Sequence, residues 1–156
     1  MSEEKTKIAV ESAFGEYLKK KGLRRTPERY VILDKVMGMN DHFHVETLHS
    51  LIEADSYHIS LATVYNTMQL FVDFGIVRRH QFAGQPAQYE RIADNALSNH
   101  HHLICRHCGK IKEVKDPVLT RMLNDKRYIS FQPEYFSLYV YGVCSRCQRA
   151  LRRSKK

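Results

Sequence analysis

The residues best suited to chemistry lie in one short run, HHHLICRHCGK, at positions 100–110. Three consecutive histidines there precede a Cys-x-x-Cys pair, Cys105 and Cys108, and a second such pair, Cys144 and Cys147, follows after 35 intervening residues. Imidazoles and thiolates are the ligands that Zn²⁺ and its neighbouring transition metals prefer in proteins. The sequence therefore predicts metal binding, with one ion or two.

The four cysteines match a single closed zinc site. Each pair can lie on a tight turn that presents two sulfurs, and four thiolates complete the tetrahedral set of a structural Zn²⁺ on Cys105, Cys108, Cys144 and Cys147. The alternative is a redox-active or regulatory disulfide pair, but a thioredoxin-like motif also needs a βαβ context, which is missing here. Since a closed site has no vacant position, we expect His107 to be an exposed turn residue.

The histidines before the cysteines favour a second metal. On a strand, His100 and His102 point the same way and His101 points oppositely, so two imidazoles can reach one ion. Glu90, after the predicted hairpin, and Glu113, on a predicted strand, could add oxygen ligands. Surface or core histidines remain the alternative at this point.

Composition limits the class of protein but does not identify it. The formal charge is +8, and all of it comes from residues 83–156, because the first 82 residues carry 11 basic and 11 acidic side chains. Four thiolates on one Zn²⁺ would cancel about two of these charges, so net charge alone is weak evidence for DNA binding. No run approaches the length of a membrane span, and the charged start MSEEKTK has no secretory pattern. We therefore expect a cytoplasmic protein, where paired cysteines more often hold metal than form disulfides.

The first half reads as helices followed by a hairpin. Apolar spacing, a Thr-Pro helix start, a Ser60 cap and a Gly75 stop predict the helices. They cover IAVESAFGEYLKKKG, TPERYVILDKVM, VETLHSLIEAD and LATVYNTMQLFVDF. Two short apolar strands around a Gly/Pro turn follow in GIVRRHQFAGQPAQYERI. Helices followed by such a hairpin are typical of a winged helix-turn-helix.

The second half has the pattern of a small α/β unit. Strands are predicted in HHLIC, KIKEV and SLYVYGVC, and a helix in PVLTRMLNDKR. A Cys-x-x-Cys lies at each end of this strand set.

The chain resembles the ferric uptake regulator (Fur) family of bacterial metal-responsive repressors. The matching segments, in family order, are GLRRTPER, LATVYNTMQLFVDFGIV, HHLICRHCGKIKEV and SLYVYGVCSRC. The resemblance implies an α+β protein with a winged-helix DNA-binding domain (1–82), a hinge (83–87) and a C-terminal α/β dimerisation domain (88–156) with a small antiparallel sheet. It also implies homodimers that repress transcription when metal is bound.

The resemblance also implies a regulatory metal site that joins the two domains. Its residues are His42, Glu90, His100, His102 and Glu113, while the structural zinc falls on the four cysteines. His44 is the fallback if the register around HFHVETL differs. A further site found in many members would fall on Asn99, His101, Thr120 and Phe136. Phenylalanine cannot coordinate, so we expect that site to be absent or very weak.

The implied regulatory ion is Fe²⁺, although Mn²⁺, Co²⁺ or Zn²⁺ can occupy such a set of three imidazoles and two carboxylates. No cysteine enters the set, which argues against a zinc sensor, and peroxide-sensing relatives usually have Asp where Glu90 or Glu113 stands. The alternatives are a zinc, manganese, peroxide or haem sensor within the family. Outside it, a zinc hydrolase would need an open coordination position and a cleft, and a metal-storage module would leave the LATVYNT helix unexplained.

The expected partner is a palindromic, AT-rich, double-stranded operator. An ion that holds both domains in one orientation would set the spacing of the two recognition helices, which must lie about one DNA turn apart. Where the family usually has Arg after the helix tyrosine, this chain has Asn66, and Asn typically reads adenine. Tyr65 could either read a base or pack on a phosphate. The predicted DNA-binding residues are Arg24, Arg25, Thr63, Tyr65, Asn66, Arg78 and Arg79.

Overall fold

The structure is a computed structural model that describes residues 3–92, 100–133 and 135–154. It divides into two compact units, Met1–Gln81 with Pro86–Ile92 and Phe82–Gln85 with Ala93–Lys156. The first unit combines helices with a two-stranded sheet, and the second combines helices with a three-stranded sheet. This is the α+β organisation that the sequence predicts.

Four helices build most of the first unit. They are α1 (Glu3–Lys20), α2 (Pro27–Met37), α3 (Val45–Ala54) and α4 (Leu61–Phe74). Pro27 begins α2, where a missing N–H costs nothing. The Ser60 hydroxyl accepts a hydrogen bond from the Thr63 N–H at 3.1 Å and caps α4. Gly75, at φ 88°, ends the same helix in the left-handed region that favours glycine.

An aromatic group ties α1 to α2 and α4 in the core of this unit. The Phe14 ring is fully buried, and its centroid lies 5.1 Å from Phe71, 5.6 Å from Phe74 and 6.1 Å from Tyr30. Leu33, like other apolar residues of α2 and α3, is also fully buried. This core therefore holds α4 at a set position, with its polar face outward.

The wing is a hairpin of β1 (Val77–His80) and β2 (Gln88–Arg91), antiparallel in the register Arg78↔Glu90 and His80↔Gln88. Phe43 pairs with Tyr89 on the other side of β2 through two backbone hydrogen bonds of 3.0 and 2.8 Å. The predicted domain limits placed β2 in the second domain. In the structure β2 pairs with β1 and belongs to the first unit. Residues 82–85 lie with the second unit instead. The limits at 82 and 88 otherwise stay a prediction.

The second unit contains β3 (His101–Cys105), β4 (Ile111–Val114), α5 (Pro117–Asp125), β5 (Tyr139–Gly142) and α6 (Ser145–Arg153). Its strand order is β4-β3-β5. The sheet was predicted to be antiparallel, and the β3–β4 pair is, but β5 runs parallel to β3. The reason is the connection through α5, which carries the chain from β4 to the opposite edge of β3 in the same direction as β3.

Among the described helices, none combines the length and the apolar character that crossing a bilayer requires.

Candidate metal centres and nucleic-acid interface

The four predicted sulfur ligands come together in the second unit. Cys105 and Cys108 lie on the turn after β3, which Gly109 closes at φ 72°, and Cys144 and Cys147 lie at the start of α6. Their Sγ atoms all lie within 4.8 Å of one another, and the Cys108–Cys144 separation is 3.8 Å. A regular tetrahedron with Zn–S bonds of 2.3 Å has edges of about 3.8 Å. The sulfurs therefore fit a Zn²⁺ ion, and His107 is exposed on the turn as predicted.

Hydrogen bonds shift the pKa values of these thiols in opposite directions. The Cys144 N–H donates to the Cys105 sulfur at 3.3 Å and lowers the pKa of Cys105 to about 6. Hydrogen bonding to Cys144 raises the pKa of Cys147 to about 12. The cluster thus holds a thiolate at neutral pH, whereas binding a metal through Cys147 requires the loss of a proton.

Three further predicted ligands meet beside this sheet in the same unit. Glu113 on β4 lies opposite His102 on β3, and the His100 ring centroid lies 4.9 Å from that of His102. One ligand atom from each of the three residues lies within 4.8 Å of the others. The alternation of a strand therefore places both imidazoles on one side, as the sequence predicts.

His102 is held firmly by its surroundings. It is only 2% exposed, and its ring lies 5.2 Å from Phe82 and 5.7 Å from Tyr139. Such packing limits the rotamers of the imidazole and holds the ring in one orientation.

The other two predicted ligands, His42 and Glu90, meet in the first unit. The His42 Nε2 atom lies 3.7 Å from Glu90 Oε2. His44 caps α3, and its Nδ1 lies 3.0 Å from the Ala87 carbonyl oxygen. His42 therefore lies beside Glu90, and the His44 ring contacts the backbone instead; which of the two is a ligand stays a prediction.

Sequence reasoning missed His80. Its Nε2 lies 2.8 Å from Glu90 Oε2, and the residues His42, His80 and Glu90 form a ligand cluster within 4.8 Å. Arg78 pairs with Glu90, and His80, two residues further along β1, lies on the same face of the hairpin. The sequence alone does not reveal this, because it does not give the register of the two strands. Asn99, of the third site, lies outside the described residues. Within them, His101 enters none of the clusters of histidine, cysteine and carboxylate side chains.

The first turns of α4 present the predicted reading residues. Tyr65 and Asn66 are exposed and Thr63 is half-buried, while Val64 and Thr67 face the core. This separation follows the helical period, because the buried positions recur at three-residue spacing.

Tyr65 is held by a neighbour on α3. Its hydroxyl donates to Glu46 Oε1 at 2.5 Å. This bond lowers the pKa of the Glu46 carboxyl and raises the pKa of the Tyr65 phenol. The hydroxyl is thus already used as a donor, and Tyr65 as a whole is 42% exposed.

The predicted arginines differ in their surroundings. Arg25 lies against α1, where Nε donates to the Gly15 carbonyl at 3.2 Å and the guanidinium pairs with Glu16 at 3.2 Å. Arg24 is exposed. On the wing, Arg78 is only 9% exposed, whereas Arg79 is exposed and donates to Gln81 at 3.0 Å. Arg24, Arg25 and Arg79 are therefore exposed, although Arg25 is engaged by Gly15 and Glu16, whereas Arg78 is buried.

Comparison with known proteins agrees with this arrangement. The model of the ferric uptake regulator family matches residues 20–141. The chain is 30% identical over 132 residues to the peroxide-responsive repressor PerR of Staphylococcus aureus, covering 84% of this chain and 86% of that protein. It is similar to the Vibrio cholerae ferric uptake regulator (34% identity, TM-score 0.58, 83% of this chain and 98% of that one). A Pseudomonas aeruginosa ferric uptake regulator, solved with manganese, is also similar (26% identity, TM-score 0.63, 82% and 96%).

Proposed function

Because the chain belongs to the ferric uptake regulator family, we propose that it is an Fe²⁺-dependent repressor that binds a palindromic operator as a homodimer. Members of this family are metal-responsive transcription regulators and not enzymes, which excludes a zinc hydrolase. The finer points of this proposal are the identity of the ion, its ligands and the DNA contacts.

One observation carries the proposal: each unit holds a partial set of nitrogen and oxygen ligands. His42 and Glu90 form one set, and His100, His102 and Glu113 form the other. Neither set alone fills the coordination sphere that octahedral ions prefer. An ion that takes all five ligands would hold the two units in one relative orientation.

The ligand types are compatible with Fe²⁺ as the physiological ion. Imidazole suits Fe, Zn and Cu, and carboxylate suits Mn, so a mixed set accepts several divalent metals. No thiolate is included, although thiolates would favour zinc. Intrinsic affinity rises from Mn²⁺ through Fe²⁺ and Co²⁺, so the metal supply of the cell decides which ion is bound. We infer that Mn²⁺, Co²⁺ or Zn²⁺ can substitute in vitro.

The four cysteines would hold a separate Zn²⁺ that stabilises the second unit. Their tetrahedral spacing supports this role, and a closed set leaves no position for substrate or water. The zinc therefore contributes folding free energy, while the nitrogen and oxygen site responds to metal supply.

Metal would raise operator affinity by ordering the dimer. Suppose that about 1% of the metal-free dimers hold their two recognition helices at the spacing the operator requires. Shifting most dimers to that spacing then requires the metal to bind this state more tightly than the others by roughly 3–5 kcal/mol. The two ligand sets can supply this energy only if they share one ion. Tyr65 and Asn66 would then lie in the major groove, with Arg24 and Arg79 on the phosphates.

Apolar residues of the second unit support a homodimer. On α5, Val118 and Met122 are 70% and 67% exposed and lie one helical turn apart. Ile129 is 98% and Phe131 is 68% exposed. Exposed apolar groups of this kind mark protein interfaces, and a second copy of the chain would cover them.

Operator retardation under controlled metal tests the proposal. The full chain, purified without oxygen and with its cysteine zinc retained, is mixed with a palindromic AT-rich duplex and with Fe²⁺, Mn²⁺, Co²⁺ or no added ion. We expect metal to raise affinity by about 10²-fold or more. His100→Ala should need more metal for the same affinity, and the matched control His58→Ala should behave as wild type. Equal affinity with and without metal would overturn the proposal.

A peroxide sensor is the second candidate, favoured by the identity to PerR of Staphylococcus aureus. The same Fe²⁺-loaded complex distinguishes the two. We expect a peroxide sensor to lose operator binding on brief exposure to hydrogen peroxide and not to regain it when Fe²⁺ is restored. An iron sensor should regain binding when Fe²⁺ is restored.

A further inference from the structure

The strands of the first unit bring three ligand residues to one face. Phe43 pairs antiparallel with Tyr89, so the preceding residue, His42, lies opposite the following one, Glu90. On the other side of β2, His80 pairs with Gln88, which makes His80 a diagonal neighbour of Glu90 on the same face. Phe43 and Tyr89 are buried on the opposite face, in the core. Glu90 therefore lies between two imidazoles that come from different segments.

The separations match those of metal ligands. Glu90 Oε2 lies 2.8 Å from His80 Nε2 and 3.7 Å from His42 Nε2. Around an ion with bonds of 2.0–2.2 Å, neighbouring ligand atoms lie about 3.0 Å apart in an octahedron and about 3.4 Å apart in a tetrahedron. The observed distances bracket both values. The two imidazole ring centroids lie 5.1 Å apart, so both rings can turn a nitrogen toward one ion.

The side chains are also shielded as metal ligands usually are. The His80 side chain is 3% exposed, His42 is 11% and Glu90 is 20%. Burying a carboxylate beside imidazoles is costly unless a charge or hydrogen bonds compensate. The 2.8 Å contact with His80 Nε2 gives Glu90 one such partner, and a divalent cation between the three side chains would add a compensating charge.

We propose that the winged-helix unit binds a divalent cation by itself through His42, His80 and Glu90. Two of these ligands also belong to the proposed regulatory site, and His80 is the new one. This unit would bind the ion without the second unit, because strand pairing holds its three ligands together. The ligands of the second unit would then complete its coordination sphere. The identity of the ion rests on the proposed function, but the existence of the site does not.

His80 has a simpler alternative role as a positioning residue. Its Nε2–H could donate to Glu90 and orient the carboxylate without touching the ion. The substitution His80→Gln separates the two roles, because a glutamine side chain keeps an N–H donor for Glu90 but lacks an imidazole nitrogen.

The test uses the full chain with the ligands of the second unit removed. In the triple variant His100→Ala/His102→Leu/Glu113→Ala, leucine fills the buried volume of the imidazole. Zinc content at the cysteines and the circular dichroism spectrum report on folding. Co²⁺ titration should give one further equivalent of bound metal, with absorption bands of nitrogen and oxygen ligands and no sulfur-to-cobalt charge transfer.

Variants of His80 in this background decide its role. His80→Ala and His80→Gln should each weaken Co²⁺ binding by about tenfold or more. The control His58→Ala, whose side chain is 85% exposed in the same unit, should change nothing. Full Co²⁺ affinity in the His80→Gln variant would overturn His80 as a ligand and leave it a positioning residue.

A folded triple variant that binds no Co²⁺ would overturn the site itself. That result leaves the proposed function intact, because the wild-type chain would still show metal-dependent operator binding. Conversely, metal-independent operator binding by the wild type would remove the proposed function without affecting the Co²⁺ titration.

Discussion

The hydrogen bond from Tyr65 to Glu46 leads to a prediction about how α4 meets DNA. A phosphate offers only acceptors, and the Tyr65 hydroxyl has one proton, which it already donates to Glu46 at 2.5 Å. The negative carboxylate would also repel a phosphate at that position. We therefore expect Tyr65 to contact a base through its ring, with a thymine methyl as a suitable partner.

The matched substitutions are Tyr65→Phe, which removes only the hydroxyl, and Tyr65→Ala, which removes the ring. Tyr65→Phe should leave metal-saturated operator affinity within about threefold of wild type, or roughly 0.7 kcal/mol. Tyr65→Ala should weaken the free energy of operator binding by about 1–3 kcal/mol, because it removes the contact between the ring and the base. Fluorescence anisotropy with a labelled operator, over a range of salt concentrations, measures both.

Loss of the Tyr65–Glu46 hydrogen bond should also lower the stability of the folded protein. Hydrogen bonds to charged groups contribute about 1.5–3 kcal/mol, but Tyr65 is 42% exposed, so we take about 1 kcal/mol after discounting for solvent. For a unit of this size that lowers the melting temperature by about 4–8 °C in Tyr65→Phe. A double-mutant cycle with Glu46→Gln should recover this energy as coupling.

The pH dependence has a defined sign. The hydroxyl lowers the pKa of Glu46 in the folded protein. Its stabilisation is therefore fully present above the ordinary glutamate pKa and is lost as pH falls through the lowered one. The difference in melting between wild type and Tyr65→Phe should vanish in acid. A tenfold loss of operator affinity in Tyr65→Phe, with a shallower salt dependence, would instead identify a phosphate contact and refute the reasoning.

Three further predictions concern the cap of α4 and the cysteine site. Ser60→Ala, which removes the acceptor for the Thr63 N–H, should destabilise the first unit by about 1 kcal/mol in thermal melts, while Ser60→Asp should not. Cys108→Ser should lose its zinc, measured by elemental analysis, and its dimer should dissociate, measured by sedimentation. The control His107→Ala should keep its zinc and remain a dimer. A Cys108→Ser variant that stays dimeric with full zinc content would contradict the four-sulfur site. Zinc affinity measured against a chelator should rise with pH above neutrality, because the raised pKa of Cys147 leaves a proton for Zn²⁺ to displace. A flat profile would show that Cys147 carries no such proton.

Much of this protein follows from local sequence. The Cys-x-x-Cys pairs identify the sulfur ligands because two residues of spacing suit one turn, whatever lies around them. Ser60 and Gly75 mark the ends of α4 for a similar reason, since a cap satisfies backbone groups within three or four residues. The two-residue spacing at the start of β3 likewise predicts that His100 and His102 lie close together, and their ring centroids are 4.9 Å apart.

Other features were decided only by tertiary structure, because they depend on which segments pair and in which register. His80 reaches Glu90 through the register of the wing, and His42 faces Glu90 through the bridge at Phe43. The parallel course of β5 and the bond from Tyr65 to Glu46 likewise join residues far apart in sequence. Local periodicity states which face of a strand or helix is apolar. It does not state which distant side chain lies opposite, since that depends on the packing of the whole core.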